Sequence, residues 1–463
     1  MRDKYIDLIG QTFDFPQEEF EVKANELSFH GVPLMDLIQK HGTPLRLIYL
    51  PNITKNIVKA KNWFASAIKK LNYPAQYHYC YCTKSSHFNY VLDKVLESGS
   101  HLETSSAFDI RLIENLHAKQ RLSKETYIVC NGFKQDKYIE GIGRIINAGY
   151  ENCIPVLDNK TELKKLLQLT DKKFKLGIRI ASEESPKFDF YTSRLGIGYR
   201  DIVPFFNKHL QHLENAELKM LHFFINTGIS DSSYYWNELH KCLEVYAALK
   251  KVCPSLDSLN IGGGLPIKRS LRFEYDYEGM VHEILLQVKT ICEEKGVPCP
   301  HIFSEFGSFT VGESGANLYS IIGQKQQNDR EKWNMIDGSF INNLPDTWAI
   351  GERFIMLPIN RWGDTYERVL LGGLTCDSDD YYNSEPHINA IYLPKYDPDK
   401  PLFVGFFNTG AYQDSLSGFG GIKHCLIPSP KVVLLDRDEE GNLVDTVFCD
   451  EQSDQSMLNI LGY

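Results

Sequence analysis

Residues 77–104 read YHYCYCTKSSHFNYVLDKVLESGSHLET, and this stretch sets the architecture. YHYCYC (77–82) has the alternation and aromatic content of a strand. FNYVLDKVLESG follows at helical spacing and is closed by Gly99, and HLET (101–104) is a second strand. Strand, helix and strand in one short run make a βαβ unit. The alternation continues outward. A helix capped by Ser105 or Ser106 runs through Leu116, followed by strands TYIVC (126–130), CIPVLD (153–158), KFKLGIRI (173–180), LKMLHFFI (218–225), LDSLNIG (256–262) and HIFSEFG (301–307). Eight βα steps in succession predict a closed parallel barrel. An open sheet would need a topological switch point, and none is found in the order of elements.

After residue 318 the helical periodicity fades. RFIMLPI, ERVLLGGL, NAIYLP, LFVGFF and KVVLL read as short strands. The expected class is therefore α/β, a (β/α)8 barrel plus a β-rich C-terminal domain. The expected division is an N-terminal segment at 1–50, whose LRLIYL pairs with the β-domain, a barrel at 51–318 and the β-domain at 319–463.

The chain has 463 residues, too many for one compact core. Its net charge of −10 disfavours nucleic acid as a partner and favours approach of a cation. The N-terminus MRDKYIDLIG has no signal-peptide core, and no apolar run of ~18 residues predicts a membrane span. Eleven cysteines without a CxxC pair suggest scattered free thiols in a cytoplasmic protein and no metal site.

Barrel active sites lie at the C-terminal ends of the strands. Lys84, Glu103, Asp158 and Arg179 fall at the ends of strands one, two, four and five. Thr227 follows strand six, Gly262, Gly263 and Gly264 follow strand seven, and Glu305 and Gly307 end strand eight. Glycines there let backbone N–H groups approach a phosphate closely, although a glycine run alone is as readily a flexible turn. Glu305 could equally be a buried carboxylate paired with Arg179 or Arg194, and a lone Lys84 would read as a solvated lysine. An amine, an acid and a glycine nest at one barrel face together suggest pyridoxal 5'-phosphate, which needs a lysine and an acidic partner for its ring nitrogen.

Six ordered stretches carry a family resemblance over nearly the whole chain: YCTKSSHF (81–88), LHFFINTG (221–228), NIGGG (260–264), SEFG (304–307), TCDSDD (375–380) and GAYQD (410–414). They resemble the cofactor-lysine, sixth-strand, phosphate, Glu-x-Gly, Cys-Asp and phosphate-tyrosine segments of the fold type III pyridoxal-phosphate decarboxylases, whose barrel is of the alanine racemase-like type. CNGFK (130–134), NNLPDTWAI (342–350) and GAYQD lean toward the arginine decarboxylases within that family.

The resemblance implies that Lys84 carries the cofactor covalently and that Glu305 partners its ring nitrogen. It places Glu103, Arg179 and Phe224 around the ring, and Thr227, Gly263, Gly264, Gly307 and Tyr412 around the phosphate. Cys376, from a neighbouring subunit of a homodimer or larger homo-oligomer, would protonate the substrate carbon. Asp377, with Asp379 and Asp380, would hold the distal cation, since a guanidinium suits a carboxylate pair. The alternatives are a small buried apolar role for Cys376, a solvated loop for the acidic run, core packing for Tyr412 and a strand-end hydroxyl for Thr227. Two positions depart from the family: Phe224 stands for its ring-stacking histidine, and Ser308 for its phosphate arginine, for which Arg179 or Arg194 could compensate.

The implied reaction is decarboxylation of a basic amino acid, arginine to agmatine, in polyamine synthesis. Ornithine, lysine, diaminopimelate or a carboxylated polyamine are alternative substrates. A silent regulatory homologue would have lost Lys84 or Cys376. A glycosidase would need a second carboxylate where strand seven ends in glycines.

Overall fold

The computed structural model describes residues 17–182, 193–230, 232–329, 331–382 and 391–463. The chain forms two compact units. One comprises Ile53–Pro266 and Tyr275–Thr310. The other takes the described residues up to Asn52, Ile267–Glu274 and the residues from Val311 onward.

The first unit is the expected barrel. Its strands are β1 (Tyr77–Cys82), β2 (His101–Thr104), β3 (Ile128–Cys130), β4 (Cys153–Leu157), β5 (Phe174–Arg179), β6 (Ala216–His222), β7 (Ser258–Asn260) and β8 (His301–Glu305). They close in the order β6-β7-β8-β1-β2-β3-β4-β5. Every neighbouring pair is parallel, including β8 with β1 and β5 with β6. Cys80, Val129, Ile154, Val156, Met220 and Phe303 form a buried cluster within the barrel. Packing of this kind fills the interior with side chains and leaves chemistry to the loops.

The connecting helices follow from their patterning. Ala107–Ala118 starts at Ser106, whose hydroxyl accepts from the Asp109 N–H at 3.2 Å, while the Asp109 carboxylate accepts from the Ser106 N–H at 3.0 Å. This reciprocal cap satisfies two orphan donors. Asp136–Asn147 turns Ile139, Ile142, Ile145 and Ile146 inward, the stripe of a helix laid on a barrel.

The second unit centres on Leu45–Tyr49, buried at all five positions. It pairs parallel with Lys431–Arg437 and antiparallel with Gly315–Gln326. Gly315–Gln326 is a twelve-residue strand that sequence reading does not pick out, and it runs across residue 318. The strand Ile391–Pro394 lies within the NAIYLP run, whose first residues fall outside the described residues. Among the described residues, no helix is long and apolar enough to cross a membrane.

Candidate active site

The side chains at the C-terminal end of the barrel form one connected network. Beyond β1 a single turn, Thr83–Ser85, carries Lys84. The Lys84 Nζ donates to Glu103 Oε2 at 2.7 Å. Glu103 is fully buried, whereas the lysine side chain is 44% exposed and so remains open to reaction. Glu103 Oε1 accepts from Asn131 Nδ2 at 3.1 Å, and the same Asn131 amide donates to Glu305 Oε1 at 2.7 Å. Asn260 Nδ2 donates to Glu305 Oε1 at 2.6 Å, and Asn260 Oδ1 accepts the Gly262 N–H at 2.9 Å. The amine, the acid and the glycine run thus converge through two asparagines.

His222 ends β6 beside this network. Its Nε2 lies 3.6 Å from Glu305 Oε2, and neither ring nitrogen has a hydrogen-bond partner. Burial, reinforced by the Arg179 charge, holds the imidazole pKa well below its usual value, so the ring is neutral and the contact is not an ion pair. A buried ring with unmet polar atoms, facing a buried carboxylate, is a site prepared for a further polar group. The sequence alone does not single out Asn131, Asn260 and His222, although all three fall inside CNGFK, NIGGG and LHFFINTG. The usable signal was their position at the ends of β3, β7 and β6.

The glycines form a tight cradle. Gly228, Gly262 and Gly264 adopt φ of +74°, +71° and +92°. The Ile229 N–H donates to the Gly264 carbonyl at 2.9 Å. A Cβ on Gly264 would run into the Gly228 Cα, and one on Gly263 into the Glu305 carbonyl oxygen. Only glycine permits this approach of three loops. Gly264→Ala should therefore cost roughly 2–3 kcal/mol and weaken cofactor retention. A melting curve and a cofactor titration check it, and an alanine variant with wild-type values in both would mean the cradle is not tight.

Arg179 is buried, with its guanidinium 5.7 Å from the centre of the Phe224 ring. The aromatic at the histidine position thus has a cation against its face. Asp158, near Arg179, is pushed up by burial, partly offset by the Arg179 charge, and accepts the Gly196 N–H at 2.9 Å. Thr227 is exposed in the turn after β6, and Gly307 is buried after β8, where a Cβ would strike Ser85. Lys134, the lysine of CNGFK, is structural: it is buried 3.1 Å from Glu162.

In the second unit, Tyr412 takes a left-handed φ of +66° at the head of the short helix Gln413–Leu416. The next two residues hold that turn. Gln413 Nε2 donates to Asp346 Oδ2 at 2.7 Å, and the Asp346 N–H donates back to Gln413 Oε1 at 3.3 Å. Asp414 meets the buried Arg46 at 2.8 Å. The GAYQD and NNLPDTWAI stretches are thus bonded to one another.

Cys376, Asp377 and Asp379 are exposed. Asp380, expected beside them at a substrate cation, is instead buried with both oxygens engaged. Its Oδ1 accepts the Phe340 N–H at 2.7 Å, and its Oδ2 accepts the Thr375 N–H at 3.0 Å and hydroxyl at 2.7 Å. It shapes the loop that presents Cys376.

Residues 55–312 match the family described as pyridoxal-dependent decarboxylase, pyridoxal binding domain. The biosynthetic arginine decarboxylase of Citrifermentans bemidjiense is 23% identical over 91% of this chain and 84% of its own length, and that of Pelobacter propionicus 25% over the same shares. The crystal structure of the biosynthetic arginine decarboxylase from Campylobacter jejuni superposes with a TM-score of 0.82 at 19% identity, covering 100% of this chain and 91% of that one. Diaminopimelate decarboxylase from M. jannaschi gives 0.77 at 18% identity, covering 96% and 97%. The barrel residues fit the cofactor of this family: a reactive amine on Glu103, a buried acid aimed by two amides, and a cradle that any side chain would fill. The chain belongs to the pyridoxal-dependent decarboxylases, and its barrel is their pyridoxal-binding domain.

Proposed function

We propose that this decarboxylase converts L-arginine to agmatine and CO2, as a step of polyamine synthesis in the cytoplasm. The observation that carries the substrate is the reach of the likeness to biosynthetic arginine decarboxylases, which extends over 91% of the chain and so includes both units. Measuring CO2 release from arginine, ornithine, lysine, diaminopimelate and a carboxylated polyamine tests it. A preference for any of the others by kcat/KM would replace arginine.

When bound, pyridoxal phosphate supplies an electron sink for the pair left by CO2. The residues of this chain do the rest. Lys84 anchors the cofactor, with Glu103 setting the direction of its amine. Glu305, aimed by Asn131 and Asn260, is the acidic partner of the ring nitrogen. Arg179 and Phe224 bound the ring, and Gly263, Gly264, Thr227, Gly307 and Tyr412 bind the phosphate.

Asp377 and Asp379 receive the guanidinium, for which exposed carboxylates on a held loop suit a planar fork of donors. The Cys376 thiol delivers the proton to the substrate carbon, acting in the site of a second copy within a homodimer. Leu374 and Leu426, exposed in sequence beside Cys376 and Cys425, are apolar surface of the kind such an interface covers. Cys376→Ala should keep cofactor binding and lower kcat by about 10²–10⁴-fold, the range for loss of a general acid. Unchanged kcat would take the thiol out of the reaction.

A further inference from the structure

The cysteine spacing predicts no metal site, yet three donors from two distant segments meet in the second unit. The Sγ atoms of Cys376 and Cys425 lie 3.5 Å apart, and a donor nitrogen of His424 joins them with all three atoms within 4.8 Å of one another. All three residues are exposed. A sulfur–sulfur distance of 3.5 Å is far longer than a bonded pair at about 2.05 Å. It is close to the edge of a tetrahedron built on zinc–sulfur bonds of about 2.3 Å, roughly 3.8 Å.

The site is also held in advance. The short helix Phe340–Asn343 anchors both halves. Asp380 ties the Cys376 loop to the Phe340 and Ile341 N–H groups. On the other side, Asn342 Oδ1 accepts the His424 N–H at 3.1 Å, and Asn342 Nδ2 donates to the His424 carbonyl at 3.0 Å. Cys425 and Leu426 take left-handed φ of +53° and +52°, a costly backbone for non-glycine residues that persists where surroundings enforce it. Two sulfurs and an imidazole on a shared support are the donor set of a borderline-soft divalent ion with one position open.

We infer that Cys376, His424 and Cys425 form a zinc-type site in which the bound ion silences the decarboxylase by taking the Cys376 thiol. The inference rests on the proposed role of Cys376 as proton donor. Binding displaces two thiol protons to solvent and moves no electrons, and a metal-held thiolate has no proton to deliver.

The test uses the reduced, full-length holoenzyme with Co²⁺ as the optical probe and Zn²⁺ as the competitor. Wild type should show thiolate-to-cobalt charge-transfer absorption that zinc displaces, and zinc should suppress turnover until a chelator restores it. Cys425→Ser and His424→Ala should keep basal turnover and lose more than the roughly 10–100-fold in affinity that removing an outer partner costs. Their turnover should require correspondingly more zinc for suppression. No thiolate–cobalt band in wild type, equal zinc sensitivity in Cys425→Ser, or loss of two titratable thiols without bound metal would each overturn the site. The last result would make the pair a disulfide-forming one. Ion binding and the catalytic role separate cleanly. If Cys376→Ala keeps full turnover while the wild-type band is present, the catalytic role and the silencing fail together and only the bound ion stands.

Discussion

Lys84→Ala should abolish the visible absorbance of covalently held cofactor and lower CO2 release by at least about 10³-fold, the scale on which an essential acid–base or covalent group acts. The geometry behind this is a single short bond. The amine rests 2.7 Å from a carboxylate that is itself fully buried, so its position is set by β2 and not by its own flexible stem. Truncation also strands the Glu103 charge, left with the neutral Asn131 amide and Cys82 thiol. Removing a partner from a fully buried pair costs about 3–5 kcal/mol; with the lysine side chain 44% exposed, solvent screens this pair and about 1–3 kcal/mol is expected. Folding and chemistry must therefore be separated. The double variant Lys84→Ala, Glu103→Gln removes the stranded charge and should recover most of the lost melting temperature while remaining inactive. If the double variant regained the absorbance band, the attachment point would lie elsewhere. If the single variant kept normal turnover, the whole assignment of the barrel mouth would fall.

The barrel could be read from the chain because its strands alternate with helices of a different period from Tyr77–Cys82 as far as His301–Glu305. Lys84, Glu103 and Glu305 could be placed at one mouth because strand ends in such a barrel all face the same way. What could not be read is the wiring between them. Asn131, just past β3, and Asn260, the last residue of β7, are neutral side chains 129 residues apart, and nothing in either local pattern marks them as donors to the same carboxylate oxygen. The reason is physical: the match is made by closure of the barrel, which sets β3 and β7 on either side of the acid. Asp380 shows the reverse difficulty. In a run of three acids in four residues the one that folds inward to clamp the Phe340 N–H looks no different from those left in solvent. Gly315–Gln326 escaped notice because it ends in a polar GQKQ tail, buried at its start and exposed at its end, which blurs the alternation. Cys376 and Cys425 lie 49 residues apart, so their meeting is invisible to spacing rules written for local pairs.

Glu305→Gln should leave the protein folded and able to bind cofactor, with kcat lower by about 10²–10⁴-fold. The surroundings decide how the new amide must sit. Asn131 and Asn260 both donate to Oε1, at 2.7 and 2.6 Å, so an NH2 group at that position would face two donors. The amide oxygen must take it, and the NH2 is directed to the Oε2 side, where His222 Nε2 lies 3.6 Å away. Burial keeps His222 neutral, and a neutral imidazole nitrogen can accept that proton. The exchange therefore satisfies its neighbours and should shift stability by no more than about 1 kcal/mol. What it removes is an acceptor. An amide N–H cannot accept from a protonated ring nitrogen, and the cofactor withdraws electrons well only while that nitrogen is protonated. His222→Phe supplies the control, since it removes the acceptor for the new NH2 while leaving Glu305 in place. Combined with Glu305→Gln it should add a stability loss of about 1–3 kcal/mol from an unmet buried donor. Wild-type turnover in Glu305→Gln would show that the acid between the two asparagines is a structural anchor, and the partner of the ring nitrogen would have to be sought elsewhere in the barrel mouth.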